Sequence, residues 1–549
     1  MDWNRSPRAE SSLGDSLLDV FAENPAAKGS IVFPESGEVM NRRELFDRAD
    51  AVAGELLKAG AEPGDVVGLL LPTSPAFPPA LLGVLSIGAA ASVLPLPAVG
   101  RDVDAVMDGL ASFVRTARIR HLVVARSLTP LLGPLLDRCA GLQLVEAERC
   151  GVGGRRRKRT VVRAADTAIV QFTSGSTVNP KGVSLSHGAL LHSVLAPIAR
   201  GGMSDRDVGY QWVPLFHDFG LIGLLIALCA GFDTHLVGPA TFIRNPGQAL
   251  RYFSEHGVTI CTGPNFAYER LVRAVRTEDM TGVDLSRWRL ALNGGEPVSP
   301  ATVRRFGETL GGVGVPATAM TPAYGMAEFV AGITIDEPAR PPRITTVDRS
   351  SLVVGRRVEV GRSGWVLVSQ GRPLPGIEVR VVGADDSTLP DGWFGELEAR
   401  GASLMDGYVG DPAASAAALH DGWLRTGDRG FLHDGEVHVA GRSKEMIIVS
   451  GRNIHAEEAE AIAGDVTGVY QRHCVAVADH DRERLVLVAE TTDPDTAAVR
   501  RRVQDAVSAG LGVSDVTVRT VGKGWLPRTT SGKWRRGEVR NRLQAEVVR

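Results

Sequence analysis

Cysteine is scarce in this chain of 549 residues: its five copies, Cys139, Cys150, Cys229, Cys261 and Cys474, are scattered and show no CxxC spacing. That excludes a disulfide framework and a cysteine metal site, and it suits a reducing compartment. A charge excess is missing too. The formal net charge of −2 lacks the basic surplus of a nucleic-acid binder. The opening residues Met1-Asp2-Trp3-Asn4-Arg5-Ser6 contain no apolar h-region, so no secretory signal is visible. Of two apolar runs, Leu221–Phe232 is too short to span a bilayer, and Ala80–Val99 carries Pro95 and Pro97 in its second half. The second reads better as a buried helix running into a buried strand. A cytoplasmic protein with no membrane span and no nucleic-acid partner is therefore expected. Lysine is rare as well: Lys28, Lys58, Lys158, Lys181, Lys444, Lys523 and Lys533 against 61 basic residues in all. In an arginine-rich background a lysine marks places where a compact ammonium is needed and a planar guanidinium would not serve.

What is present is hydrophobic patterning in an ordinary proportion, 44% of residues, over a length that calls for more than one core. From about residue 30 to 440, apolar runs such as Val66–Leu71, His121–Val124, Ala168–Phe172, Thr234–Val237, Val258–Cys261 and Leu290–Asn293 alternate with helical periodicity such as that of Arg43–Ala59. The alternation predicts parallel sheets covered on both faces. Past roughly residue 370, close-spaced strands (Glu378–Val382, Gly395–Arg400, Glu436–Val439) predict a β-rich subdomain. Residues 443–549 read as a small α/β unit with strands at Met446–Val449, His473–Ala478 and Arg484–Glu490 and helices near His455–Ala463 and Thr496–Leu511. The fold class is thus α/β: a large N-terminal domain, 1–442, of two α/β subdomains plus a β-rich one, and a small mobile C-terminal α/β domain, 443–549. The basic run Gly153–Arg159 reads as a solvated linker, or else as a docking patch for an acidic partner.

The most telling segment is Gln171–His187. The small and hydroxyl residues Thr173, Ser174, Gly175, Ser176 and Thr177 follow a strand-like run; Lys181 and Gly182 close the loop, and a helix is predicted from about Ser186. Such a loop offers N–H groups, hydroxyls and one ammonium to an anion, most often nucleotide phosphates. It is not a Walker A loop, and alone it also describes an ordinary surface turn.

Six further segments complete an ordered set: Pro214–Gly220 with His217 and Asp218; Asn293-Gly294-Gly295-Glu296-Pro297; Pro322-Ala323-Tyr324-Gly325-Met326-Ala327-Glu328; Trp423–Asp428; Gly441-Arg442-Ser443-Lys444-Glu445; and Pro527–Lys533. In this order they resemble the adenylate-forming superfamily of acyl-CoA synthetases, nonribosomal adenylation domains and luciferases, over nearly the whole length. Within it the chain is most similar to the fatty acyl-AMP ligases.

The resemblance implies ATP and Mg²⁺ as cofactors. The 173–177 loop and Lys181 would hold the β- and γ-phosphates. Gly294, Gly295, Glu296, Pro297, Ala323, Tyr324, Gly325 and Met326 would belong to the ATP site, Tyr324 offering its aromatic face to adenine and the backbone around Gly295, Glu296 and Ala323 reading its edge. Glu328 would hold the metal, Asp428 the ribose hydroxyls with Arg442 beside it, and Lys444 would be the hinge. Lys533 would be the catalytic ammonium that quenches charge as carboxylate and α-phosphate meet. His217 is placed in the catalytic region as a gate, a packing residue or a carboxylate neighbour, not as a general base.

About forty residues separate Glu328 from Gly371, a stretch that resembles the insertion of fatty acyl-AMP ligases, which pass the acyl group to the phosphopantetheine thiol of an acyl carrier protein. Ala456, where a proline is usual, and Trp534, where an aliphatic is commoner, depart from the pattern and leave acceptor choice more open than adenylation. The apolar runs Ala189–Ile198 and Leu221–Ala230 suggest a lipophilic tunnel for a fatty or related carboxylic acid. Alternatives are an acyl- or aryl-CoA ligase, an amino-acid adenylation enzyme with Asp218 as the amine's partner, and a catalytically silent nucleotide-binding subunit.

Overall fold

The computed structural model describes residues 16–23, 28–97, 103–150, 159–173, 180–449, 452–479, 484–528 and 534–547. The chain forms two compact units, one of Met1–Arg343, Gln370–Val379 and Ala399–Leu424, the other of Ile344–Ser369, Arg380–Glu398 and Arg425–Arg549.

The first unit holds two sheets. In the nine-stranded sheet, Met320–Tyr324, Leu290–Asn293, Ile260–Gly263, Val208–Gln211, Asp233–Leu236 and Ile31–Phe33 run parallel in that spatial order. The edges, Glu38–Met40 at one side and Thr334–Ile335 with Arg372–Pro373 at the other, are antiparallel. The seven-stranded sheet runs Gly407–Tyr408, Gly182–Ser186, Thr167–Phe172, Ala90–Val93, Val66–Leu70, His121–Val124, Gln143–Glu146. Its last five strands are parallel, and the first two are antiparallel to their neighbours. Strands buried on both faces read as continuous apolar runs, which is why Leu290–Asn293 and His121–Val124 have the bounds their sequence predicts.

Local signals set the helices. Arg42–Lys58 starts where the Asn41 side chain accepts from the Glu44 N–H at 2.9 Å and ends on a basic last turn. It buries Leu45, Ala49, Val52, Ala53 and Leu56. Phe77–Ser86, with Pro78 and Pro79 in its first turn, is followed by the strand Ala90–Val93, the helix-then-strand reading of that apolar run. Asp218–Ala230 is apolar nearly all round and correspondingly buried, and it ends at Gly231 with φ 79°. Each such Leu or Ile side chain removed from water contributes about 1.5–3 kcal/mol.

The helix expected from about Ser186 begins at His187, and a strand not expected from the sequence precedes it. Gly182–Ser186 is a strand that folds back antiparallel on Thr167–Phe172, and the helix His187–Gly201 follows, its first turn capped by Ser186. Val183 and Leu185 point into the core while Ser184 and Ser186 do not, so a period of two was present within five residues.

The second unit begins with antiparallel pairs. Ile344–Val347 pairs with Trp365–Val368, and Arg356–Arg357 with the start of Trp393–Gly401. Trp423–His433 and Glu436–Arg442 form a hairpin around Asp434-Gly435, whose φ values of 53° and 73° are those of a type I′ turn. Val347, Leu352, Val358, Leu367, Phe394, Phe431 and Ala440 make a small core. Further along, Cys474–Asp479, Arg484–Glu490 and Val516–Val521 form a three-stranded sheet packed against Ala456–Gly464 and Thr496–Leu511. Among the described residues no helix is long and apolar enough to cross a membrane.

Candidate active site

The parallel strands Leu290–Asn293 and Met320–Tyr324 end side by side, and their carboxyl ends deliver the two segments expected to read a nucleotide base. Gly294 passes against the backbone of Ala323: an added Cβ would sit 3.0 Å from its carbonyl oxygen. Gly295 turns with φ 76°, a conformation that costs glycine nothing. Glu296 accepts from the Phe266 N–H at 3.3 Å, which leaves the exposed Gly295 and Pro297 at the rim. Tyr324 is half-buried at the strand end, with Gly325 and Met326 after it. Gly325 has no alternative there, because a Cβ would run into the Ala331 carbonyl oxygen. Val330, β-branched and buried, holds φ 61° and ψ −56° two residues after Glu328. Such strain persists only where packing over-determines it, and it gathers at functional sites.

The loop expected to hold phosphates closes on the hairpin described above. Phe172 pairs with Gly182, and the Thr173 N–H donates to the Lys181 carbonyl at 3.1 Å. Ser174, Gly175, Ser176 and Thr177 lie outside the described residues. Lys181 is exposed, with its Nζ 4.6 Å from the ring centre of Tyr408. The Tyr408 hydroxyl donates to Glu328 Oε1 at 2.8 Å. Lys181 and Glu328, 147 positions apart by their numbering, therefore share one neighbour.

His217 precedes the helix Asp218–Ala230. Its Nδ1 lies 2.6 Å from Asp218 Oδ1 and 3.4 Å from the Phe219 nitrogen. A carboxylate only accepts, so Nδ1–H donates to Asp218, whose Oδ1 also accepts from the Phe219 N–H at 2.6 Å. The Gln171 amide donates to the Phe216 carbonyl at 2.9 Å and ties this segment to the strand before the loop.

In the second unit Asp428 and Arg442 face each other across the hairpin, with Nε 3.2 Å from Oδ1. Asp428 is buried; Arg442 is largely exposed. The Asp428 N–H donates to Thr426 Oγ1, which donates to the Leu397 carbonyl, so the carboxylate stands on a fixed backbone. The backbone of Lys444 lies in a short 3₁₀ turn, Ser443–Glu445. Lys533 lies outside the described residues. The chain on either side of it is pinned: the Arg535 N–H donates to the Pro527 carbonyl at 3.0 Å, and Arg528 lies 3.7 Å over the Trp534 ring.

The AMP-binding enzyme family matches residues 18–409. The chain belongs to that family. A 4-hydroxyphenylalkanoate adenylyltransferase of Mycobacterium marinum is 31% identical, covering 98% of this chain and 92% of its own. The long-chain-fatty-acid–AMP ligase FadD26 of the same organism is also 31% identical, over 93% of this chain and 92% of that protein. A structure from studies of fatty acyl-adenylate ligases of E. coli and L. pneumophila superposes with a TM-score of 0.90 at 26% identity, covering 97% and 98% of the two chains. The adenylate-forming α/β fold and the likeness to fatty acyl-AMP ligases are thereby shown.

In this AMP-binding enzyme the residues between Glu328 and Gly371 include Ile344–Ser369, which packs in the second unit. There Arg349 pairs with Glu458, and Trp365 lies 5.1 Å from His455, ring centre to ring centre. Burial pushes His455 down to about 4, so the ring that meets Trp365 is neutral. Sequence reasoning missed two residues. Tyr408 carries no pattern beyond a Gly-Tyr step. Arg536 is enclosed by Glu445, Glu457 and Glu460, and only the acidic start of Ala456–Gly464 hinted at a basic partner.

Among the described residues no group of three or more His, Cys, Asp or Glu is arranged to hold a metal. A lone Glu328 with one oxygen engaged by Tyr408 fits Mg²⁺, which commonly takes one or two protein carboxylates and completes its shell with phosphates and water.

Proposed function

We propose that this enzyme joins a fatty or related lipophilic carboxylic acid to ATP, giving an acyl-adenylate and pyrophosphate, and then transfers the acyl group to the phosphopantetheine thiol of an acyl carrier protein. The observation that carries the reading is the meeting of Lys181, Tyr408 and Glu328 in a chain similar end to end to fatty acyl-adenylate ligases.

In the first step a carboxylate oxygen attacks the α-phosphorus, and the bond to the bridging oxygen breaks as pyrophosphate leaves. Two anions must meet, so the protein's work is neutralisation and alignment. Thr173 to Thr177 and Lys181 hold the β- and γ-phosphates. Glu328 would hold Mg²⁺, which when bound would supply charge neutralisation on the phosphates. Tyr324 and the backbone around Gly295 and Ala323 take the adenine, and Asp428 takes the ribose hydroxyls with Arg442 beside it. Lys533 brings an ammonium to the reacting oxygens. His217, held by Asp218 through Nδ1, lies at the carboxylate end of the acyl site. Residues 443–549 turn about Lys444 between adenylation and transfer. With Asp218 Oδ1 engaged by His217 and Phe219, the arrangement favours a plain acid over an amino acid. Five free thiols go with a reducing, cytoplasmic setting.

The adenylyltransferase relative adds 4-hydroxyphenylalkanoates to the candidate acids. The test is a panel of fatty, aryl-alkanoic and amino acids with ATP and Mg²⁺, scored for acyl hydroxamate and separately for acyl-CoA. Hydroxamate from fatty or aryl-alkanoic acids without acyl-CoA is expected. Efficient acyl-CoA formation overturns the carrier-protein step, and hydroxamate from amino acids alone overturns the acid class.

A further inference from the structure

Residues Met405–Val409 form a strap bonded through its backbone to Glu328 and to the neighbour of Lys181, and it touches both charged groups through the Tyr408 side chain. The Met405 N–H donates to the Glu328 carbonyl at 2.8 Å, and the Val409 N–H donates to the Gly182 carbonyl, next to Lys181, at 2.8 Å. Between them Gly407 and Tyr408 pair with Ser184 and Val183. The strap is itself fixed: the Tyr408 N–H donates to Ser415 Oγ at 2.9 Å, and Asp411 caps the helix Pro412–Ala418 that carries Ser415.

From that position Tyr408 meets Lys181 with its ring face and Glu328 with its hydroxyl. Both are chemistries that a phenol offers. Its π-face attracts an ammonium, and its neutral O–H donates to a carboxylate. Among the described residues Lys181 makes no ion pair with Glu328. A direct pair would spend each charge on the other; with the phenol interposed, the ammonium stays available to a phosphate oxygen and Glu328 Oε2 to a cation.

We propose that Tyr408 is a positioning residue for adenylate formation: it keeps Lys181 and Glu328 apart and aims each at its share of a metal–triphosphate. The proposal rests on the adenylate-forming reading above and adds a division of labour, in which the hydroxyl serves the metal side and the ring serves the phosphate side.

Two variants separate these halves. Tyr408→Phe keeps the ring and loses the hydroxyl; Tyr408→Ala loses both. Calorimetry with ATP, once with excess Mg²⁺ and once with a chelator, reads binding without turnover, and acid-dependent pyrophosphate release is titrated with Mg²⁺. For Tyr408→Phe, metal-free ATP affinity should match wild type, while the Mg²⁺ needed for half-maximal release rises about 10-fold, as for loss of one hydrogen bond to a charged group. Tyr408→Ala should add a loss of about 3-fold or more in metal-free ATP affinity. A merely structural role would lower both affinities and the melting temperature together. Tyr408→Phe, nearly isosteric, decides the matter even if the alanine variant does not fold. If Tyr408→Phe shows wild-type Mg²⁺ dependence, or loses metal-free affinity as well, the division of labour is overturned while adenylation stands. A wild type that binds no ATP overturns the proposed function and this inference with it.

Discussion

Glu457 should make the protein's stability fall with rising pH, and Glu457→Gln should remove most of that slope. Arg536 sits 2.6 Å from Glu445, 2.7 Å from Glu460 and 3.4 Å from Glu457, so three carboxylates share one guanidinium. Glu457 has the poorest contact, and its Oε2 is buried with no hydrogen-bond partner among the described residues. Burial, with Glu460 and Glu445 adding to it against the pull of Arg536, raises its pKa from 4.5 to about 8. The folded form thus holds this proton more tightly than the unfolded chain. Its contribution is whole below about pH 4.5 and is lost as pH climbs through about 8. Between pH 6 and pH 9 the loss comes to about 2–3 kcal/mol, or about 5–10 °C in melting temperature for a unit of this size. Glutamine mimics the protonated acid at every pH. Thermal melts of wild type and Glu457→Gln from pH 6 to pH 9 should therefore diverge, the variant gaining on wild type by that amount. Parallel curves would refute a proton held at Glu457.

Two further substitutions probe the nucleotide site. Lys533→Ala should abolish adenylate formation, with a rate loss of ~10²–10³ or more, while ATP still binds by calorimetry; pyrophosphate release near wild type would remove Lys533 from its role. Gly325→Ala drives a methyl group into the Ala331 carbonyl oxygen, so it should cost about 1–3 kcal/mol and weaken ATP binding. An unchanged melting curve and unchanged affinity would show that the 324–331 turn is not as tight as its geometry implies.

Strands buried on both faces were legible in the sequence because continuous apolar runs have no other economical reading. Met446–Val449, Arg484–Glu490 and the helix Thr496–Leu511 have the bounds their patterns predict. Gly182–Ser186 was hidden because only Val183 and Leu185 mark it, and because Ser186 is a good helix cap whose signal dominates locally. Gly294 could be picked out as a close-approach position but not what it approaches, and the tight fit of Gly325 could not be picked out at all: the carbonyls of Ala323 and Ala331 depend on strand order. Tyr408 was invisible for the same reason. Its partner Glu328 is 80 positions away, and Lys181 lies in a different stretch again. The cradle of Arg536 likewise joins segments 76 and 91 positions apart.

The small core of Val347, Leu352, Val358 and Leu367 with Phe394, Phe431 and Ala440 has a bearing on how the protein is made. During translation those first four side chains leave the ribosome well before the last of their partners. At ~5–20 residues per second the delay is on the order of seconds. Over that interval a nascent hairpin carries uncovered valine and leucine, so chaperone capture or slowed synthesis near codons 350–430 should change the yield of active enzyme.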